Sequence, residues 1–158
     1  MGRPLHEELK QGKPFDLVEE EVHVSIARTA AVLERAFAKL LKPRGITPTQ
    51  YNVLRILRGA GSDGLCRHEI GARLVTAVPD VTRLLDRMER DGLVFRQRVD
   101  ADRRLVRTMI TRRGREIVDG LDFELRTAHR TRLAHLSPET LRQLADLLAD
   151  VRSAEDQD

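Results

Sequence analysis

A chain of 158 residues with 41% hydrophobic positions is long enough for one domain with a real core, which excludes a disordered tail. Its formal charge of +3 is unevenly spread: residues 46–114 hold 14 arginines and no lysine against 8 acids, net +6, and the remainder nets −3. The single cysteine and the lack of an apolar run of about 20 residues exclude an intrachain disulfide and a membrane span, and 3% aromatic content, with one tyrosine and no tryptophan, argues against base-stacking recognition of single strands.

From Phe15 to Leu41, apolar residues at Phe15, Val18, Val22, Ile26, Ala30, Leu33, Phe37 and Leu40 recur at steps of three and four, which predicts a long amphipathic helix ended by Pro43 and Gly45. Thr47, Pro48 and Gln50 form a capping box with proline at the first helical position, opening a second helix that runs to about Gly59. After the loop Gly61, Ser62, Asp63, Gly64, a short helix is predicted over Arg67–Leu74. Another follows over Pro79–Asp91, buried through Val81, Leu84, Leu85 and Met88 and stopped by Gly92.

Residues 93–99 and 105–110 are rich in β-formers, and Asp100, Ala101, Asp102, Arg103 and Arg104 between them supply turn chemistry, so a hairpin is predicted with two arginines at its tip. Thr111 is expected to cap a helix through Ile117, Val118, Leu121, Leu125 and Leu133. Ser137 with Pro138 starts a last helix through Leu141, Leu144, Leu148 and Val151, leaving SAEDQD as a frayed end. Two short helices joined by a tight turn and followed by a β-ribbon make a winged helix-turn-helix.

The segment PDVTRLLDRMERDGLVFRQRVDADRRLVRTMITRRG resembles the core of the MarR family of bacterial transcription regulators. It carries Thr82, Arg83, Leu84, Asp86, Met88, Glu89, Gly92, Leu93 and Val94, then Asp102 and Arg104, then Thr111 and Gly114, in the family's order and spacing. The ITPTQYNVL opening, the long first helix and the LSPE junction from Leu136 to Glu139 extend the resemblance over residues 15–152. It implies a mainly α fold with a small β-wing, residues 1–158 forming one domain. Within it, helices over 15–45 and 115–155 dimerise and 46–114 form the DNA-binding module.

On the helix over Pro79–Asp91, Asp80, Thr82 and Arg83 lie nearest the N-terminus. Their chemistry suits base edges: arginine to guanine, threonine to a thymine methyl, aspartate to the cytosine amino group. Arg87 is a further candidate, although Arg83 and Arg87 also have Asp80, Asp86 and Glu89 within one turn as ion-pair partners. The resemblance implies that Arg104 enters the minor groove with Asp102 holding it, and Arg96, Arg98 and Arg103 are expected to meet phosphates. Where the family often begins this helix with Ser or Thr, this chain has Ala77, Val78 and Pro79.

Cys66, at the start of a short helix beside Arg67 and His68, reads either as a thiol sensor or as a packed, inert thiol. None of His6, His23, His68, His129 and His135 forms an i, i+4 pair, so no metal or cofactor is expected. The resemblance implies a palindromic duplex operator, a homodimer, and a small effector such as an aromatic or phenolic acid, with His23 and Tyr51 as candidate contacts. The chain is therefore expected to be a cytoplasmic DNA-binding regulator, most simply a repressor, with no membrane partner. A winged protein-interaction module and a redox regulator using Cys66 stand as alternatives. No nucleophile–base set or phosphate-cradling loop suggests an enzyme.

Overall fold

The computed structural model describes residues 3–99 and 102–155, with the backbone alone for residues 102–104, 154 and 155. It divides into two compact units, Met1–Arg115 and Glu116–Asp158. In chain order the helices are α1 (Leu5–Glu8), α2 (Val18–Leu41), α3 (Pro48–Ala60), α4 (Arg67–Arg73), α5 (Val81–Arg90), α6 (Arg112–Leu133) and α7 (Pro138–Glu155). The strands are β1 (Leu65–Cys66), β2 (Val94–Val99) and β3 (Asp102–Ile110), in the antiparallel order β1-β3-β2.

The first unit is built around residues that the helical periodicity brings to one side. Val53, Leu54 and Leu57 of α3, Ile70 of α4, Leu84, Leu85 and Met88 of α5, and Leu93 and Val94 at the start of the wing are all buried. α3 opens on the capping box expected of it: the Gln50 N–H donates to Thr47 Oγ1 at 3.2 Å, and the Thr47 N–H donates to Gln50 Oε1 at 2.9 Å. At the far end of α5, Gly92 adopts φ +70°, and the Gly92 and Leu93 N–H groups donate back to the Glu89 and Met88 carbonyls. That left-handed step sends the chain directly into β2.

A threonine and a glycine lock the other side of the wing. The Thr111 hydroxyl donates to the Gly92 carbonyl at 2.7 Å and accepts from the Gly114 N–H at 3.0 Å, so it joins the end of α5 to the start of α6. A Cβ on Gly114 would run into the Leu93 carbonyl and come within 3.0 Å of Leu54 Cδ2 and Ile110 Cγ1. The Thr-x-x-Gly spacing therefore has a packing cause: only glycine lets α6 start this close to the wing.

Several boundaries depart from the sequence expectations. α2 starts at Val18 rather than Phe15, and a separate turn, α1, precedes it. α5 starts at Val81 rather than Pro79, because Asp80 serves as its N-cap. β1 was not foreseen; two residues are too few to show a period, yet Leu65 pairs with Thr108 and Cys66 with Arg107. β3 already begins at Asp102, so Arg103 and Arg104 belong to a strand and not to a turn. A register irregularity between Arg98 and Val99 takes up the extra residues. Asp100 and Ala101, expected in the turn, lie outside the described residues. The helix α7 continues to Glu155 through part of the segment expected to fray, consistent with the helix propensity of Ala154 and Glu155.

In the second unit, Val118, Leu121 and Leu125 of α6 are buried, whereas Phe123 of α6 and Leu144, Leu147 and Val151 of α7 are exposed. α7 opens with Ser137 as its cap, its Oγ accepting from the Thr140 N–H at 3.2 Å. Among the described residues, no helix is long and apolar enough to cross a membrane.

Candidate nucleic-acid interface

The helix-turn-helix is fixed at three points. Asn52 Oδ1 on α3 accepts from the Val75 N–H at 2.8 Å, tethering the connection between α4 and α5. Gly71 on α4 approaches α5 so closely that an added Cβ would lie 3.3 Å from Val81 Cγ2. The third point is Arg67, the first residue of α4, whose Nη1 donates to Thr82 Oγ1 on the first turn of α5 at 3.1 Å.

Asp80 does structural work at this site. Its Oδ1 accepts from the Arg83 N–H at 2.8 Å, satisfying one of the donors that a helix start leaves open. Thr82, Arg83 and Arg87 are exposed, and the four-residue step puts both arginines on one face, opposite Leu84, Leu85 and Met88. Among the described residues, no acid forms an ion pair with the guanidinium of Arg83 or Arg87; Asp80 caps the helix, and Asp86 and Glu89 are committed elsewhere.

That commitment is to the wing. Glu89 accepts from the Arg96 backbone N–H and from Arg96 Nε, both at 2.9 Å, and Asp86 Oδ1 lies 2.8 Å from Arg96 Nη2. The Arg96 guanidinium beside it holds the Glu89 carboxyl below its ordinary range, and the same bonds push Arg96 further toward the charged form. Arg96 was expected at a phosphate; instead it braces β2 against α5, because two carboxylates neutralise it in place.

Arg98 is exposed on β2 opposite Val106, with no ion pair among the described residues, as a phosphate contact requires. The side chains of Asp102, Arg103 and Arg104, expected at the wing tip, lie outside the described residues. Arg107 of β3, not singled out from sequence, donates from Nη1 to the Gly64 carbonyl at 3.1 Å and ties the sheet to the loop after α3. Gly64 must remain glycine there: it sits at φ +62°, with the Thr108 carbonyl 2.5 Å from where a Cβ would stand.

Cys66 is buried and caps α4. Its N–H donates to Glu69 Oε2 at 2.7 Å while its side chain accepts from the Glu69 backbone N–H, and the first of these bonds holds the Glu69 carboxyl below its ordinary range. The spacing Cys-x-x-Glu is thus a capping box with sulfur in place of a hydroxyl, a signal legible in the sequence but not read there.

The two candidate effector residues are not brought together. Tyr51 is buried, with its ring edge against Phe37 at a centroid distance of 5.3 Å. His23 is exposed on α2, fourteen residues before Phe37, roughly 20 Å along the helix axis at the usual rise.

The MarR family model matches residues 44–105, which span this interface. The homoprotocatechuate degradative operon repressor of Escherichia coli is 32% identical over 124 residues, covering 78% of this chain and 81% of the relative. The crystal structure of a MarR transcription factor from Planctomyces limnophilus is 31% identical, with a TM-score of 0.64 over 85% of this chain and 98% of that one. The S. aureus MepR–DNA complex matches with a TM-score of 0.74 at 25% identity, covering 83% of this chain and 96% of that one.

Proposed function

Because the chain belongs to the MarR family of transcription regulators, we propose that it is a sequence-specific, dimeric DNA-binding repressor released by a small-molecule effector. The observation that carries this reading is the pairing of two features. Thr82, Arg83 and Arg87 stand exposed on the outer face of α5, the two arginines without an ion pair among the described residues, and the wing strand carrying Arg98 is braced to that same helix by Arg96. Residues 46–114 would be the DNA-binding module. Thr82, Arg83, Arg87 and Asp80 meet base edges, Arg98 and Arg103 meet phosphates, and Arg104, held by Asp102, reads minor-groove width. The MepR–DNA complex supports the assignment by its fold and by what that protein binds.

Dimerisation is assigned to 15–45 and 115–155. Leu17, Val18, Val22, Val32 and Leu33 near and along α2 are exposed, as are Phe123, Leu144, Leu147 and Val151, and these apolar side chains are the surface that a second copy would cover. A two-fold pair would set two recognition helices about 34–36 Å apart, matching successive major grooves of a palindrome.

The effector class proposed is an aromatic or phenolic acid. It acts by binding a conformation whose half-site spacing does not fit DNA. The name of the E. coli relative, which represses homoprotocatechuate degradation, supports an aromatic acid. Tyr51 and His23 lie too far apart for one small ligand to span, so Tyr51, buried with its ring against Phe37, is the better anchor and His23 the alternative. No catalytic role is proposed, and the protein would act in the cytoplasm. The test is selection of duplexes from a random library. A palindromic consensus that Arg83→Ala no longer enriches is expected; enrichment of no sequence by the wild type would refute the reading.

A further inference from the structure

We propose that Arg67 is a positioning residue that sets what Thr82 reads, restricting it to base edges that accept hydrogen bonds. The inference rests on the DNA-binding reading above. Arg67 and Thr82 belong to different helices, yet Nη1 donates to Oγ1 at 3.1 Å across the cleft that they line with His68, Gly71, Asp80 and Val81. The contact is built into the fold. Gly71 permits the close approach of α4 to α5, and the Asp80 cap fixes the backbone of the turn that carries Thr82.

A threonine hydroxyl has one proton and two lone pairs. With one lone pair held by a guanidinium, the proton turns away from the cation, toward the exposed side where a base edge would lie. The bond also polarises the hydroxyl and makes it a better donor. An incoming amino group, such as cytosine N4 or adenine N6, would instead have to approach the second lone pair beside a fixed positive charge. Thr82 so held favours guanine O6 and N7 or thymine O4, and disfavours cytosine.

The experiment takes the duplex selected by the wild-type protein and substitutes every base pair in turn, measuring affinity for wild type, Arg67→Met, Arg67→Lys, Thr82→Val, Thr82→Ser and the double variant Arg67→Met/Thr82→Val. The wild type is expected to prefer guanine or thymine over cytosine at one position per half-site by about tenfold. Arg67→Met and Thr82→Val should each erase that preference and leave the other positions unchanged, and the double variant should lose no more than either alone. Thr82→Ser should retain the preference, and Arg67→Lys should restore part of it. Arg67→Met should also keep the wild-type salt dependence. A uniform loss at all positions with a salt slope shallower by about 0.9 would make Arg67 a phosphate contact and overturn the proposal. So would an unchanged profile in Arg67→Met. Absence of any selected duplex for the wild type would overturn the DNA-binding reading itself, and this proposal with it.

Discussion

Glu89 of α5 grips Arg96 of β2 at both ends, accepting from its backbone N–H and from its guanidinium Nε, each at 2.9 Å. α5 and the wing are thereby tied together, with Asp86 as a third point of attachment. In the proposed reading this brace serves function, because a helix in the major groove and a ribbon beside it would engage the same duplex in one register.

Arg96→Ala should destabilise the chain by about 1 kcal/mol, a modest figure because the Glu89 side chain is 36% exposed and the pair is partly screened. The brace also gives stability a pH dependence. Glu89 is held below its ordinary value of 4.5, so the unfolded chain takes up its proton first and the contribution is full above that value. It is lost as pH falls through the lower folded value. Urea denaturation between pH 6 and 3 should therefore show stability falling with acid, with a smaller fall in Arg96→Ala; identical slopes would remove Glu89 from the account.

Gly114→Ala should cost about 2–3 kcal/mol, since the added methyl meets a backbone carbonyl that cannot move without shifting the wing. Equilibrium urea unfolding reads this directly, and a midpoint unchanged from wild type would show that α6 starts with more room than the structure gives it.

Asp80 caps α5, and substitutions separate that role from the base contact proposed for it. Asp80→Ala should lose about 1 kcal/mol of stability with the cap, whereas Asp80→Asn keeps an acceptor for the Arg83 N–H and should stay near wild type. If Asp80 also reads cytosine, Asp80→Asn will change base preference at one operator position while thermal stability holds. An unchanged preference would confine Asp80 to capping.

The helices were legible in the sequence because their apolar residues keep one period over many turns and two of their caps are written in Thr47, Pro48 and Gln50 and in Ser137, whereas the Asp80 cap of α5 was read as a base contact. What stayed hidden was of another kind. Asp86 and Glu89 looked like partners for Arg83 and Arg87 one turn away, yet they bind Arg96, ten and seven positions beyond, because the Gly92 step folds β2 back along α5. Spacing along a helix cannot announce a partner on the next element. For the same reason Arg67–Thr82 and Arg107–Gly64 were missed, and β1 was too short to carry a pattern. The wing arginines were found from turn chemistry, but Arg103 and Arg104 were placed in a turn where the backbone runs as strand.

Cys66 is buried and engaged at the start of α4, which favours a structural thiol. Native protein should react with a thiol reagent slowly, and completely once unfolded. Cys66→Ser, which preserves the capping geometry, should fold and bind DNA as wild type does, before and after mild peroxide. Rapid stoichiometric labelling of native protein, or peroxide release of DNA that Cys66→Ser prevents, would restore the redox-sensing alternative.

The most direct test of the central claim is an anisotropy titration of the purified protein against the intergenic duplex beside its own gene and against a scrambled duplex of equal length, at two salt concentrations. Tight binding to the first alone, weakening steeply with salt at about 0.9 log units per neutralised phosphate and reduced in Arg83→Ala and Arg104→Ala, is the result predicted. Equal, weak binding to both duplexes, unaffected by either substitution, would contradict it.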